Sequence, residues 1–579
     1  MVPSVPHSGS RHRRRPTAGN AAQRDRRHLA RETSARPRRP AEGMLRNPTI
    51  VLGCAAGRSL QSASMRRSGG AGSLKTLPAL VFIGCIGLSG CSAHAASTAP
   101  DWITFAGGRL AYGTDAQGNR IPDFSRVGYR NGDAPPPELP VATTVGPQPS
   151  GDDTARIQQA IDQVANSGKP GAVQLAAGDY RLEGTLRISA SNVELRGAGS
   201  GAHGTRLVAA GKLHTLVTIA GTGSRVSAGS PVPVASGYVP VGADQLDVSD
   251  ASALHVGDHV IVQRPQEQAW IHAIGMDQIP PRPDGTPSKQ WTPNAGLQFD
   301  RTITAVNGKT VRFDVPLTNA LESQYTHATV TRYSYPGRIS GSGLAHLSAD
   351  GSEFEQDPAW HNDGFFKSQL VSVDAAEDSW VNDVVADHFG SAFGTGENAL
   401  RISLLNTSSL DESVPQDIHD QPAAYTISGQ ETLVRQCVVT GSNVHAWITQ
   451  ARVPGPNVIS HCTATNTGSR ILDAGPHQRW ASGTLYDDLT VSPPSGHLQL
   501  SDRQWMGSGQ GWAGANSVLW NCGTGSYLVE NPPTAHNWAL GCTGTQSKPP
   551  AGHRTGEIVS PGKHLPPESL YDEQLAERR

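Results

Sequence analysis

The stretches Leu433–Gly441 (LVRQCVVTG), Asn457–Asn466 (NVISHCTATN), Ser517–Gly525 (SVLWNCGTG) and Asn537–Thr545 (NWALGCTGT) share one pattern: a short apolar run, a Cys, then small polar residues. Cys437 and Cys462 are 25 residues apart, and Cys522 and Cys542 are 20 apart. Such a period is too short for a pair of helices and fits one coil of a β-solenoid, whose strands bond to the coils before and after. Strands in a ladder lie about 4.8 Å apart, so residues one period apart become neighbours on one face and like residues line up in a column.

The rest of the composition agrees. The chain has 579 residues with 64 Gly and 42 Pro, 37% hydrophobic and 6% aromatic, and few long apolar helical windows. Frequent Gly, Asn, Ser and Thr between short β-branched runs predict many strands with tight turns. The net charge of −2 hides an asymmetry: 16 Lys and Arg against three acids lie before position 91, which leaves 32 basic and 47 acidic groups afterwards. That acidic remainder excludes a nucleic-acid partner, which needs a basic face to displace counterions.

Residues 1–64, with RHRRRP and RPRRP, have no apolar period and read as a disordered or misassigned N-terminal extension. Residues 65–90 have the form of an export signal: Met65, Arg66, Arg67 and Lys75, then the apolar LPALVFIGCIGL, too short to be a clear membrane span. Leu88-Ser89-Gly90-Cys91 resembles the lipobox of bacterial lipoproteins. That resemblance implies a lipid on Cys91, membrane attachment through it, and, from Ser92, an outer-membrane location; cleavage near Ala93-His94-Ala95 is the alternative. Cys54 and Cys85 then fall in discarded segments, and four cysteines remain in an exported domain, either paired as Cys437 with Cys462 and Cys522 with Cys542 or stacked as free thiols. No C-x-x-C occurs, and no metal site is expected.

In the mature chain, residues 91–150 read as a linker and extended lead-in, with PDWITFAGGRL and DAPPPELP. Residues 151–225 open with an N-cap at Asp152, Asp153 and Thr154. Ile157, Ala160, Ile161 and Val164 follow at helical spacing, with Gly168 as the stop. This amphipathic helix is expected to cover the open end of the solenoid, whose strand edges would otherwise be unpaired. Strand pulses follow at Val173, Tyr180, Leu186 and Val193. The segment from Asp152 to Gly199, DDTARIQQAIDQVANSGKPGAVQLAAGDYRLEGTLRISASNVELRGAG, resembles the opening module of the pectate-lyase superfamily. The resemblance covers about 60 residues well and the later coils more loosely. It implies an all-β, right-handed parallel β-helix and an exported protein acting on polysaccharide. It does not imply one reaction, since the family holds lyases, hydrolases and binders.

Residues 226–335 break the coil rhythm. Alternating runs and the Asn307-Gly308 turn predict a small antiparallel β insert, with a long loop carrying Trp270, His272 and Trp291 that either overhangs the groove or packs as a surface loop. The main β-helix is expected over residues 336–545 and a polar tail over 546–579.

The densest polar cluster is Gly475-Pro476-His477-Gln478-Arg479-Trp480, followed by Tyr486-Asp487-Asp488 and Asp502-Arg503, separated by SGHLQL and GSGQGWAG, which read as glycine-containing loops. Five of eleven Trp fall in about 60 residues here; Trp480, Trp505 and Trp512 are the candidates for stacking on sugar rings, with Trp520 and Trp538 in strand runs. Two reactions compete. For β-elimination on a uronate polymer, His477 or Arg479 is the base and Arg503 binds the carboxylate. For hydrolysis, two carboxyl groups are needed; adjacent strand residues face opposite ways, so one of Asp487 and Asp488 pairs with Asp502. The superfamily's polygalacturonase-type hydrolases pair an Asp-Asp step with a later Gly-His-Gly; Ser495-Gly496-His497 lies too close to Asp488 to carry that role. Calcium is possible by the resemblance, but no cluster of acids supports it, and no cofactor is expected. His388 and His445 follow similar positions in their coils, and His445 is a further candidate for the binding flank. In the structural alternative, Arg479 pairs with Asp487 or Asp502 to hold loops. A polysaccharide lyase is the leading reading; a glycoside hydrolase and a non-catalytic glycan-binding or envelope protein are the alternatives.

Overall fold

The computed structural model describes residues 101–355, 368–412, 423–441, 445–467 and 472–579. The N-terminal extension, the signal segment, Cys54, Cys85 and Cys91 lie outside the described residues. Each coil contributes strands to three parallel ladders. The first stacks Leu433–Arg435, Pro454–Ser460, Ala481–Asp487, Val518–Trp520 and Trp538–Leu540. The second stacks Val438–Gly441, Thr463–Asn466, Thr490–Val491 and the start of Gly523–Asn531. The third stacks Ala423–Ile427, His445–Thr449, Leu472–Pro476, Gly496–Leu500 and the end of Gly523–Asn531. The result is a right-handed parallel β-helix, the hand that parallel crossovers take almost without exception.

The corner between the first two ladders explains the repeated Cys. Gln436, His461, Asp488, Asn521 and Gly541 each take a left-handed conformation, with φ of 55, 53, 50, 51 and 71°. The next residue, Cys437, Cys462, Leu489, Cys522 or Cys542, turns inward into the continuous core. A small hydrophobe fits there. Cys437 and Cys462 sit on adjoining rungs, Cα atoms 4.6 Å apart, and are joined by a disulfide. Cys522 and Cys542 are buried free thiols.

Helix α1, Thr154–Asn166, buries Ile157, Ala160, Ile161 and Val164 against the first coils. Its cap differs from the expected one: the Asp152 carboxylate accepts from the Thr154 amide at 2.9 Å, while Asp153 makes no side-chain cap. The insert is antiparallel, with His259–Gln266 between Asn294–Asn307 and Thr329–Ser334. Asn307 pairs with Thr310 around Gly308, whose φ is +62°. Short helix α2, Gln268–Ala273, lies in its long loop. Trp270 and Trp291 are core residues there, not an exposed overhang, and the same core takes in Trp480, Trp512, Ala515 and Ala535 from the coils.

Residues 546–579 depart from the expected polar tail. They return to the first ladder, where helix α3, Leu570–Arg578, buries Leu570, Tyr571 and Leu575 against Val458, Leu485, Val518 and Trp520. Each such leucine contributes about 1.5–3 kcal/mol. Trp102, Ile121, Phe124 and Val127 of the lead-in complete this cluster.

Candidate active site

The third face carries a cluster of polar side chains. Ala446, Leu472, Ala474, Leu498 and Leu500 point into the core, so the alternating His445, Asp473, His497 and Gln499 point outward. Register sets His445 beside Asp473, Asp473 beside His497, and His497 beside Ser526. Gly475 lets these rungs close: its φ is +142°, and a Cβ there would lie 2.1 Å from the Gln499 carbonyl oxygen.

Asp473 is the hub. One carboxylate oxygen bonds His445 Nδ1; the other accepts from Gln499 Nε2 at 2.7 Å and faces Arg503 Nη1 at 3.4 Å. Arg503 Nε donates to Gln510 Oε1 at 2.9 Å, and Gln510 Nε2 donates to His477 Nε2 at 3.0 Å. The His445 and His477 rings meet edge to face at 5.1 Å. His497 Nδ1 bonds Ser526 Oγ at 2.9 Å.

These surroundings fix the protonation states. Burial, then His445 and Arg503, push His477 down to about 3. Burial also lowers His497. Burial works to raise Asp473, but His445, Arg503 and His477 outweigh it and hold the carboxyl below its ordinary range. The cluster therefore presents an ionised carboxylate, a fixed guanidinium and two imidazoles kept neutral near pH 7.

Of the residues expected from sequence, His477, Arg503 and His445 come together here. Arg479 does not: its guanidinium donates to Ser508 Oγ at 2.8 Å, and burial and Arg452 lower its pKa. Asp487 is excluded by burial. Its carboxylate lies under α3 and accepts from Ser460 Oγ at 2.9 Å, Ser569 Oγ at 2.5 Å and the Leu570 amide at 2.9 Å. Asp488, in its left-handed corner, bonds His461 at 2.8 Å, and His461 reaches Asp572 of α3 at 2.9 Å. Neither member of the Asp-Asp step faces the cluster, and neither pairs with Asp502 or Arg479.

Asp502 opens into a separate cavity of about 470 Å³, with His272, Met276, Trp512 and His553 among its lining residues. Burial raises its pKa, and its amide donates to Glu530 at 2.6 Å. Trp480, 1% exposed, packs edge-on against Trp270 and donates to Asn319 Oδ1 at 2.7 Å, so no sugar ring reaches it. Trp512, 5% exposed, donates to the Ile274 carbonyl and is one of the residues lining the Asp502 cavity. Trp505 is half-buried in the loop after the third ladder.

Asp473, His497, Gln499 and Ser526 were not among the candidates. SGHLQL reads as a loop, yet Gly496–Leu500 is a strand, because Gly496 follows the turn and does not continue it. The usable signal was the coil period: His445 and Asp473 are 28 residues apart, and His497 and Ser526 are 29 apart. Among the described residues no group of three or more His, Cys, Asp or Glu side chains is placed to hold a metal ion, and no helix is long and apolar enough to cross a membrane.

Fold and cluster together define a right-handed parallel β-helix protein with a polar site on its third face. No protein-family model and no curated protein matches the chain in sequence. Among solved structures it is similar to the tailspike protein of Pseudomonas phage LKA1, at 13% identity over 71% of this chain and 70% of that one, with a TM-score of 0.38. It is also similar to the mannuronan C-5 epimerase A-module of Azotobacter vinelandii, at 12% identity over 72% and 76%, TM-score 0.31. A surface adhesin of Streptococcus pneumoniae matches at 9% identity over 69% and 76%, TM-score 0.32.

Proposed function

We propose that the chain is a carbohydrate-active enzyme that cleaves a uronate-containing polysaccharide by β-elimination on its third face. The observation carrying this reading is the make-up of the cluster: one ionised carboxylate, Asp473, among His445, His477, His497 and Arg503, with His445, Gln499 and Arg503 as its side-chain partners among the described residues. Hydrolysis by a carboxyl pair needs two, about 5 Å or more apart. Elimination needs a neutral base and fixed positive charge.

His497 is the base in this reading. Its Nδ1 is engaged by Ser526, which leaves the Nε2 lone pair to take the proton alpha to the uronate carboxylate. The C–H electron pair becomes the new double bond as the glycosidic C–O bond breaks, and the protonated His497 returns its proton to the departing oxygen. Arg503, held by Asp473 and Gln510, stabilises the enolate. His477 is a positioning residue, since Gln510 occupies its Nε2 and its Nδ1 is buried.

The test is product chemistry on uronate and neutral glycans. Unsaturated products absorbing in the ultraviolet are expected. New reducing ends without that absorbance would instead support hydrolysis, the reading that the raised carboxyl of Asp502 favours; binding with neither would mean a non-catalytic module. Export and a lipid at Cys91 are proposed on residues 65–95 alone. Cys91→Ala is expected to move the protein from the membrane to the aqueous fraction, and equal partitioning of both forms would remove the anchor.

A further inference from the structure

The turns that leave the third ladder stack as the strands do. Gln478 Nε2 donates to Gln450 Oε1 at 2.9 Å, and the Arg452 amide donates to the Arg479 carbonyl. The line of turns runs from Glu397 through Ser428 and Gln430 to Arg452, then to His477 and Arg479. The insert comes down beside it and closes a cavity of about 300 Å³, whose lining includes Arg225, Asn294 and Gln298 from the insert side and Ser428, Gln430 and Arg452 from the coils.

Charge in this cavity is unevenly matched. Arg225 donates to Gln298 Oε1 at 3.4 Å and lies 3.9 Å from the Asp300 carboxylate. The Arg452 guanidinium has no ion pair or side-chain hydrogen bond among the described residues, although Arg479 is close enough for the two charges to oppose each other. The Arg452 and Arg479 backbones are joined by a hydrogen bond at 2.9 Å, which keeps two like charges on adjoining turns, and Arg is the side chain suited to a planar carboxylate. Around them stand carboxamides, the Ser428 hydroxyl and the Glu397 carboxylate, donors and acceptors of the kind sugar hydroxyls take.

We infer that this insert-roofed cavity is a subsite for an acidic sugar, with Arg452, on the turn that leaves the His445–Thr449 strand, taking its carboxylate beside the His445–Asp473 cluster. The inference deepens the β-elimination reading and rests on it for the substrate polymer. It makes the insert part of the substrate site: the long third-face groove is read for charge where the insert covers it, before the bond to be broken reaches His497.

The test uses the full chain and a uronic-acid hexamer, with His497→Ala present to prevent turnover, and measures affinity by calorimetry. Arg452→Gln is expected to weaken the hexamer roughly tenfold or more and to leave a carboxyl-reduced hexamer unaffected. Asn294→Asp, from the opposite wall, is expected to act in the same direction, which guards against a local defect at Arg452. Unchanged affinity in both variants would overturn the subsite, as would binding of a sulfated neutral hexamer in place of the uronate. Arg452-dependent binding by a wild-type chain that makes no unsaturated product would keep the subsite and remove the lyase reading. Elimination with Kd and KM unmoved by Arg452→Gln would do the reverse.

Discussion

Two faces of one coil stack each carry a histidine–aspartate cluster, and the chain has finished one and left the other open. On the first face, Asp487 accepts from Ser460, Ser569 and Leu570, and His461 is bonded through both ring nitrogens, to Asp488 and Asp572. Helix α3 seals the whole. On the third face, the His445 Nε2 and His477 Nδ1 atoms are buried without a partner among the described residues. Buried polar atoms in folded chains are overwhelmingly paired, and each exception asks for a reason. The completed network fixes a docking contact; the incomplete one surrounds an ionised carboxylate and a guanidinium and leaves two imidazoles short of a hydrogen bond.

The contrast breaks if the two faces respond alike to mutation. His497→Ala is expected to lower turnover by roughly 10²- to 10⁴-fold with little change in the unfolding midpoint, since among the described residues its side chain bonds only Ser526. Asp487→Ala is expected to cost about 3–5 kcal/mol in stability, because it strands the donors that Asp487 now satisfies. Turnover per folded molecule should stay at the wild-type value. Steady-state kinetics and denaturant unfolding on both variants decide the matter, and a turnover loss in Asp487→Ala that outlasts correction for folded fraction would move the chemistry to the first face.

The same comparison explains what could be read from the residues alone. The first-to-second corner repeats a side chain, since each rung there has a left-handed residue followed by an inward apolar one, a Cys in all but the Leu489 rung; Cys437, Cys462, Cys522 and Cys542 therefore announce the coil. The third-face column repeats only a register. Ala423, His445, Asp473, His497 and Ser526 have no residue type in common, so nothing local advertises them. The Asp487-Asp488 step drew attention as a carboxylate pair, but its purpose lies with Ser569 and Asp572, more than 80 residues on. The tail looked polar because its buried side chains are few. Its helix signal was short: Ser569 caps α3 by accepting the Asp572 amide at 3.0 Å, and Leu570 and Leu575 follow. Trp480 is adjacent to charged residues in sequence and is buried only because the insert, joined to the chain some 150 residues earlier, lands on it.

A smaller effect sharpens the comparison at the sealed face. Hydrogen bonds donated to the Asp488 and Asp572 carboxylates raise His461 to about 10, against an ordinary 6.5. Between those values the folded chain holds a proton that the unfolded chain has released, so unfolding free energy falls as pH rises. The contribution is complete below about pH 6.5 and is lost as pH passes through about 10; His461 is a quarter exposed, which screens the interaction, and roughly 2 kcal/mol is expected. Glu431, raised to about 8 by burial, slopes in the same direction but over a lower range, because its excess proton is gone once pH exceeds that value. From pH 8 to 10 the Cys522 thiol and buried tyrosines such as Tyr425 and Tyr486, also raised by burial, slope the same way, so the histidine is read as the difference between wild type and variant. Denaturant midpoints measured across that interval should decline more steeply in the wild type than in His461→Gln. A decline of the same size in both would mean that α3 is held by Leu570, Tyr571 and Leu575 alone, and that the bridging imidazole is incidental to the closure of that face.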